Sequence, residues 1–333
     1  MKRISVLFIA TVTVIGLMSF VSGDALAQKI TMNLSWATPL DSDYGVLAKK
    51  FKELFEGYTA NKFEIRLHCC GQLSNEDDAF KSLQLGVVDG YIITQNNVAP
   101  SFPLIDLFSL PYIFENFDHM IRVLDGPIGD EIGKRLQQQT GVYLLTYGGV
   151  TYRDHYNIKR KINNFSEFGG MKYRVPKNEV MIETYRAFGA EAVPMAWSET
   201  AAALQTGTID GSDNGTSVIR DMKFYEFAKY LTVLEHFMSV SPLFCSERFM
   251  SKLNKDEQKF LLQAAKEAGL YQRESMNKET DSIRDYLVSK GMVMTRPEKK
   301  PFILAALKVQ DQFAEKKGPE FKAMMDKIRA AAK

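Results

Sequence analysis

Only three cysteines occur in the 333 residues: Cys69, Cys70 and Cys245. So few exclude a fold stapled together by disulfides. A bridge from Cys245 to one of the adjacent pair, a strained vicinal bridge and buried thiols all fit, and buried thiols are the favoured reading. Histidine is equally sparse, and His68, His119, His155 and His236 show none of the spacings of a zinc site. His68, Cys69 and Cys70 are consecutive, so on a strand they point to alternate faces and cannot converge on one ion. No metal and no cofactor are expected. The 210–215 segment, DGSDNG, resembles a calcium loop only in part, because Ser212 takes a ligand position and the distal Glu is missing. There is no GxSxG elbow, no GxxxxGK[ST] loop, no GxGxxG after a strand and no HExxH. Nothing assembles a nucleophile, a base and an orienting group, so the chain does not read as an enzyme.

Excess charge of one sign is missing too. The chain holds 42 basic and 40 acidic residues, and removing Lys2, Arg3 and Asp24 leaves 40 and 39. A balance this even gives no reason to expect nucleic acid as a partner. The one long apolar run, residues 4–21, follows Lys2 and Arg3 and precedes Ala25-Leu26-Ala27. That order is a secretory signal peptide over 1–27, cleaved before Gln28, with an uncleaved anchor as the alternative. No cysteine follows the cleavage site, so a lipid anchor is not expected. The mature chain, 28–333, is long enough for one large or two medium domains.

What is present begins with a phrase that occurs twice: LQLGVVDG at 83–90 and LQTGTIDG at 204–211. The copies are too far apart for a stacked repeat. Each follows an apolar helical stretch and precedes a β-prone run, so Gly86 and Gly207 read as left-handed helix ends. A shared helix–Gly–strand junction in each half suggests two similar α/β lobes with a cleft between them, where small ligands bind.

Strands are expected over 29–36, 63–67, 87–94, 142–146, 172–175 and 192–195, with helices over 44–57, 179–188 and 198–206. Ser74, with Asp77 three residues on, should cap the helix that ends at Gly86. Residues 100–114 read as an irregular packed crossing, and 118–140 as two helices broken at Gly126-Pro127. This βαβ order predicts mostly parallel sheets with helices on their faces. From Asn254, with Glu257 three residues later, a helical pattern runs to Gly291 with Phe260, Ala264, Ala268, Tyr271, Ile283, Tyr286 and Leu287 as its stripe. About 36 residues would span roughly 54 Å, a strut across both lobes, unless it breaks near Gly269 or Ser275.

Three segments could hold a ligand: Tyr152-Arg153, the strand 171–176, and Asp213-Asn214. Arg174 lies two residues before Pro176, at the carboxyl end of its strand, where open α/β sheets bind ligands. Its guanidinium matches a carboxylate with two parallel donors. An ordinary surface ion pair is the plainer alternative.

The segments GQLSNEDDAFKSLQLGVVDG, FSLPYIF, FGGMKYRVP, GAEAVPMAWSETAAALQTGTIDG and KFYEFAKYLT resemble, in order, those of the solute-binding proteins of TRAP transporters. The resemblance runs from about residue 30 to 255. It implies an α/β, two-lobed, periplasmic-binding-protein-like fold, with a mixed sheet in each lobe and a long helix spanning both. Lobe I would comprise 28–150 and 240–278, and lobe II 151–239 and 279–333. The function implied is a periplasmic receptor that closes over a small organic acid and delivers it to a TRAP membrane permease. A monomer is expected. By motif, Arg174 becomes the main carboxylate anchor, Asn214 its assistant, Arg153 a second cation, and Trp197 an aromatic flank. Glu76 would face them from the first lobe; core packing for Trp197 and a solvated helix start for Glu76 are the alternatives. Gly215 stands where many members have Pro, and Cys70 where Pro usually precedes GQL. An exported hydrolase using the same cleft, or a sensory ligand-binding protein, are the rival functions. The acid itself is open: Arg153 suggests a dicarboxylate, while Trp197 and Tyr152 leave room for an aromatic or sugar acid.

Overall fold

The computed structural model describes residues 29–149 and 151–332; the expected signal peptide and its cleavage site lie outside them. Both copies of the repeated phrase do the same structural work. Gly86 and Gly207 end their helices, Glu76–Gln84 and Thr200–Gln205, at φ of 66° and 71°. The Asp of each copy then clamps a neighbouring strand. The Asp89 carboxylate accepts from Asn33 N at 2.9 Å, and that of Asp210 from Lys172 N at 2.9 Å. The final glycines, Gly90 and Gly211, open strands so closely packed that a Cβ would lie 2.5 Å from Met32 Cε and 2.4 Å from Tyr156 O.

The chain visits one sheet, then the other, and returns. Strands β1 (Ile30–Trp36), β2 (Phe63–His68), β3 (Gly90–Ile92) and β4 (Tyr143–Thr146) belong to the first lobe. Strands β5 (Thr151–Asn157), β6 (Lys172–Val175), β7 (Glu191–Pro194), β8 (Gly211–Gly215) and β9 (Tyr230–Ser239) build the second. Then β10 (Leu243–Cys245) goes back to the first sheet and β11 (Val293–Thr295) to the second. The orders are β2-β1-β3-β10-β4 and β11-β9-β5-β8-β6-β7. In the first sheet β10 runs antiparallel to both its neighbours, and in the second β5 does. Both sheets are therefore mixed, because the strands that cross between lobes enter from the far side.

Two crossings, β4 to β5 and β9 to β10, touch each other. Ser241 N donates to Gly148 O, and Gly149 N to Gln272 Oε1 on the long helix Lys255–Ser289. That helix is 35 residues long and unbroken, started by the expected box: Asn254 accepts from Glu257 N while Glu257 accepts from Asn254 N. Gly269 does not break it; a Cβ there would lie 2.4 Å from Thr146 Oγ1, so glycine lets the helix lie against β4. The buried face agrees with the expected stripe at Ala264, Ala268, Ile283 and Leu287 and departs from it at its aromatic positions. Leu261, Ala264, Ala265, Ala268 and Gln272 are buried, whereas Phe260, Tyr271 and Tyr286 are exposed.

Three further expectations change. The N-cap of Glu76–Gln84 is Asn75, without a side-chain bond, and Ser74 does not cap it. The strand expected from 87 begins only at Gly90, and Val87 is exposed. The second lobe was expected to take everything after 279, but helix Pro319–Ala330 packs Phe321, Met324, Met325 and Ile328 into the first core. Its apolar residues fall on one face, and the first lobe's helices offer the matching surface: His119 Nε2 lies 2.7 Å from Ile328 O.

Candidate functional site

Four arginines are buried among the described residues: Arg153, Arg174, Arg273 and Arg284. Three have a carboxylate of this chain. Arg153 Nε reaches Asp213 Oδ2 at 2.6 Å, Arg273 Nη2 reaches Asp125 Oδ2 at 2.7 Å, and Arg284 Nε reaches Asp154 Oδ2 at 2.7 Å. Arg174 is the exception. Its Nε donates to the Met195 carbonyl at 3.1 Å, and its two amino groups have no hydrogen-bond partner among the described residues. Burial holds its guanidinium below the usual arginine range, and Arg153 adds to that effect. A buried cation left this way is costly unless an anion arrives to pair with it.

The strand positions this group. Arg174 lies on β6 beside Val193 of β7, and Ser212 Oγ of the neighbouring β8 donates to its carbonyl at 3.0 Å. Its guanidinium carbon lies 5.7 Å from the ring centroid of Trp197, which is half-buried and packs edge-on to Phe224. Trp197 is thus shared between packing and the cleft. It lines both an outer chamber of about 310 Å³, with Cys70, Glu76, Met222 and Phe224, and a tight inner pocket. Arg174 is not among the residues that line either chamber; it reaches them through Trp197, which lines both and lies against its guanidinium.

The inner pocket joins the lobes. From the second come Arg153, Trp197 and Asn214; from the first come Tyr44, Glu76 and Thr94. Asn214 Oδ1 accepts from Tyr156 Oη at 2.9 Å, which leaves the amide NH2 without a protein partner among the described residues. Glu76 Oε1 accepts from Thr94 N at 2.9 Å and Thr94 Oγ1 at 2.5 Å, while Oε2 meets no protein donor among the described residues. One wall therefore offers guanidinium and amide donors, and the opposite wall offers acceptors and hydroxyls.

Arg153 lines the inner pocket, but Asp213 neutralises its charge. Burial would raise Asp213's carboxyl; Arg153 and His236, whose Nε2 is 3.4 Å away, instead hold it well below the usual carboxylate range. Arg153 is therefore not a free second cation. Tyr152 points to the other face of β5, against the first core. Residues 211–215 form β8 rather than a calcium loop, with Asp213 turned to Arg153. Sequence reasoning missed Tyr44, Thr94 and Tyr156. The first two fall where the first helix starts and where β3 ends, positions that a two-lobed cleft makes significant only once the lobes are placed.

Residues 35–317 match the profile of bacterial extracellular solute-binding protein family 7. A solute-binding protein of Roseobacter denitrificans is 30% identical over 285 residues, 86% of this chain and 87% of that one. The 2,3-diketo-L-gulonate-binding periplasmic protein of Escherichia coli is 27% identical, over 90% and 91% of the two chains. A TRAP periplasmic solute-binding protein from a Polaromonas species, bound to D-erythronate, superposes with a TM-score of 0.87 at 29% identity, covering 91% of this chain and 99% of that one. Another from Xanthobacter autotrophicus, with bound β-D-galacturonate, gives 0.85 at 27%, covering 90% and 99%. One from Haemophilus influenzae, with bound L-gulonate, gives 0.86 at 28%, covering 91% and 100%.

Proposed function

Since this chain belongs to the family 7 bacterial extracellular solute-binding proteins, we propose that its cleft captures a sugar acid with one carboxylate, an aldonate or a uronate. Arg174 and the Asn214 amide hold the carboxylate, Trp197 lies against the carbon skeleton, and Glu76, Thr94 and Tyr44 meet the hydroxyls. The observation that carries this reading is the contrast among the buried arginines: among the described residues Arg174 alone lacks an internal carboxylate. Neutralisation of Arg153 by Asp213 favours one carboxylate over two. D-erythronate, galacturonate and L-gulonate, bound by the similar structures, share one carboxylate and several hydroxyls.

The protein works in the periplasm as a monomer, performs no chemistry on the solute, and hands it to the TRAP permease. Among the described residues no helix is long and apolar enough to cross a membrane. Capture proceeds by differential contact: the second lobe binds first, and closure adds the first lobe's groups, which shifts the hinge equilibrium. Calorimetric titration with aldonates, uronates and their methyl esters tests this. The acids should bind and be recovered unchanged by NMR, and the esters should not bind. Equal binding of ester and acid would remove the carboxylate from the account.

A further inference from the structure

Cys69 and Cys70 follow β2 at the rim of the outer chamber. Gln72 N donates to Cys69 O at 3.2 Å, closing a turn whose central residues, Cys70 and Gly71, have φ of 62° and 70°. Positive φ at both central positions is ordinarily carried by Asn-Gly or Gly-Gly. A cysteine persists in that conformation only where its surroundings hold it. Here they do: Cys70 N donates to Thr38 O at 3.2 Å and Gly71 N to Trp36 O at 3.0 Å. The result is two thiol sulfurs 2.7 Å apart.

The two differ in access. Cys69 is half-buried against the first core, while Cys70 is exposed and lines the chamber that Trp197 and Phe224 also line. Cys245 cannot join them. It is buried on β10, three strand spacings from β2, about 14 Å. A disulfide needs Cα atoms within roughly 7 Å. The expectation of buried thiols therefore holds for Cys245 and fails for the adjacent pair.

We propose that Cys69 and Cys70 are a reversible redox pair, which a disulfide-class oxidant converts to a vicinal disulfide at the cleft rim. The Cys70 thiolate attacks one sulfur of the oxidant's disulfide, and the other sulfur leaves as a thiolate. The Cys69 sulfur then attacks Cys70 Sγ, forming the Cys69–Cys70 bond and displacing the second oxidant sulfur. Two electrons pass to the oxidant, which departs as two thiols carrying the two protons from the cysteines. Partial desolvation at the chamber rim and the Cys69 thiol push the Cys70 thiol up to about 11, so exchange accelerates as pH rises towards that value. The chemistry does not depend on which solute the cleft holds.

Incubating the reduced mature protein with oxidised glutathione tests the pair. Intact mass should fall by two hydrogen atoms, and the thiols titrated in denaturant should drop from three to one. Cys245→Ser should still lose the two hydrogens, Cys70→Ser should not, and Cys69→Ser should retain one glutathione on Cys70. A stable glutathione adduct on the wild type, an unchanged thiol count, or dependence of the mass loss on Cys245 would each overturn the assignment.

Discussion

Arg153 and Arg174 are equally buried and lie on the same sheet, yet among the described residues only Arg153 has a carboxylate partner. The difference is a single carboxylate on β8. Motif position marked both arginines, but which one is neutralised depends on the direction of Asp213, and strand pairing decides that: Arg153 faces Gly215 and His155 faces Asp213 across β5 and β8. No spacing in the sequence reveals it. The neighbouring His155 carries a second residue-scale consequence. Its ring packs against Phe168, Tyr173 and Tyr185, and neither nitrogen finds a partner among the described residues. Burial, reinforced by His236, lowers its pKa from 6.5 to about 3. The folded state keeps it neutral while the unfolded chain protonates it, so its contribution is present above pH 6.5 and is lost as pH falls towards 3. His155→Phe should leave the melting temperature at pH 7 no lower and flatten its decline between pH 7 and 4. Parallel wild-type and variant curves would show that His155 is not the source of the slope.

At the scale of elements, the repeated phrase was the most legible feature, because each of its letters has a local job. Gly ends a helix, Asp binds the adjacent strand's N–H, and the last Gly admits a close neighbour. The long helix was legible in its start and length, since a reciprocal cap and an absence of proline are local signals. Its buried face was legible only in part: Ala264, Ala268, Ile283 and Leu287 are buried as expected, but Gln272 is buried for its bond to Gly149, and a polar residue breaks an apolar stripe. The two repeat glycines give a controlled comparison. Gly207 has open space where a Cβ would go, so Gly207→Ala should cost about 1 kcal/mol from backbone strain alone. At Gly86 the Cβ would lie 2.8 Å from Arg248 Cδ, whose Nη1 donates to Gly86 O, so Gly86→Ala should cost more. Urea unfolding measures both, and a milder loss at Gly86 would contradict the packing argument.

Across the whole molecule, the lobes meet through groups that no single element explains. Ser217 Oγ of the second lobe donates to Asp43 Oδ2 of the first at 3.1 Å, and Lys177 Nζ lies 3.0 Å from Asp77 Oδ2. Burial, with Asp221 adding to it, raises the Asp43 carboxyl to about 7. Opening the lobes would solvate Asp43 and return it to its ordinary value, so the closed state holds an extra proton between roughly pH 4 and 7. Closure is therefore favoured on the acid side and loses that contribution as pH rises through 7. The apparent affinity of the wild type for the sugar acid that it binds should weaken from pH 5 to 8, and Asp43→Asn should flatten that trend; an identical trend in the variant would reject it. Two lobes, a spanning helix and a cleft were readable from the sequence, while the return of the last helix to the first core was not, since it depends on which surface lies open to receive it.

The proposed function rests on Arg174 as the cation that grips the solute when the lobes close. Calorimetry of wild type, Arg174→Ala and Arg174→Lys with the sugar acid that the wild type binds tests this most directly. Each charge-assisted hydrogen bond contributes about 1.5–3 kcal/mol, so losing two should lower affinity roughly a hundredfold or more. Lysine should recover little of it, because a point charge cannot supply the paired donors. A loss of under about threefold in Arg174→Ala, less than about 0.7 kcal/mol, would contradict the account.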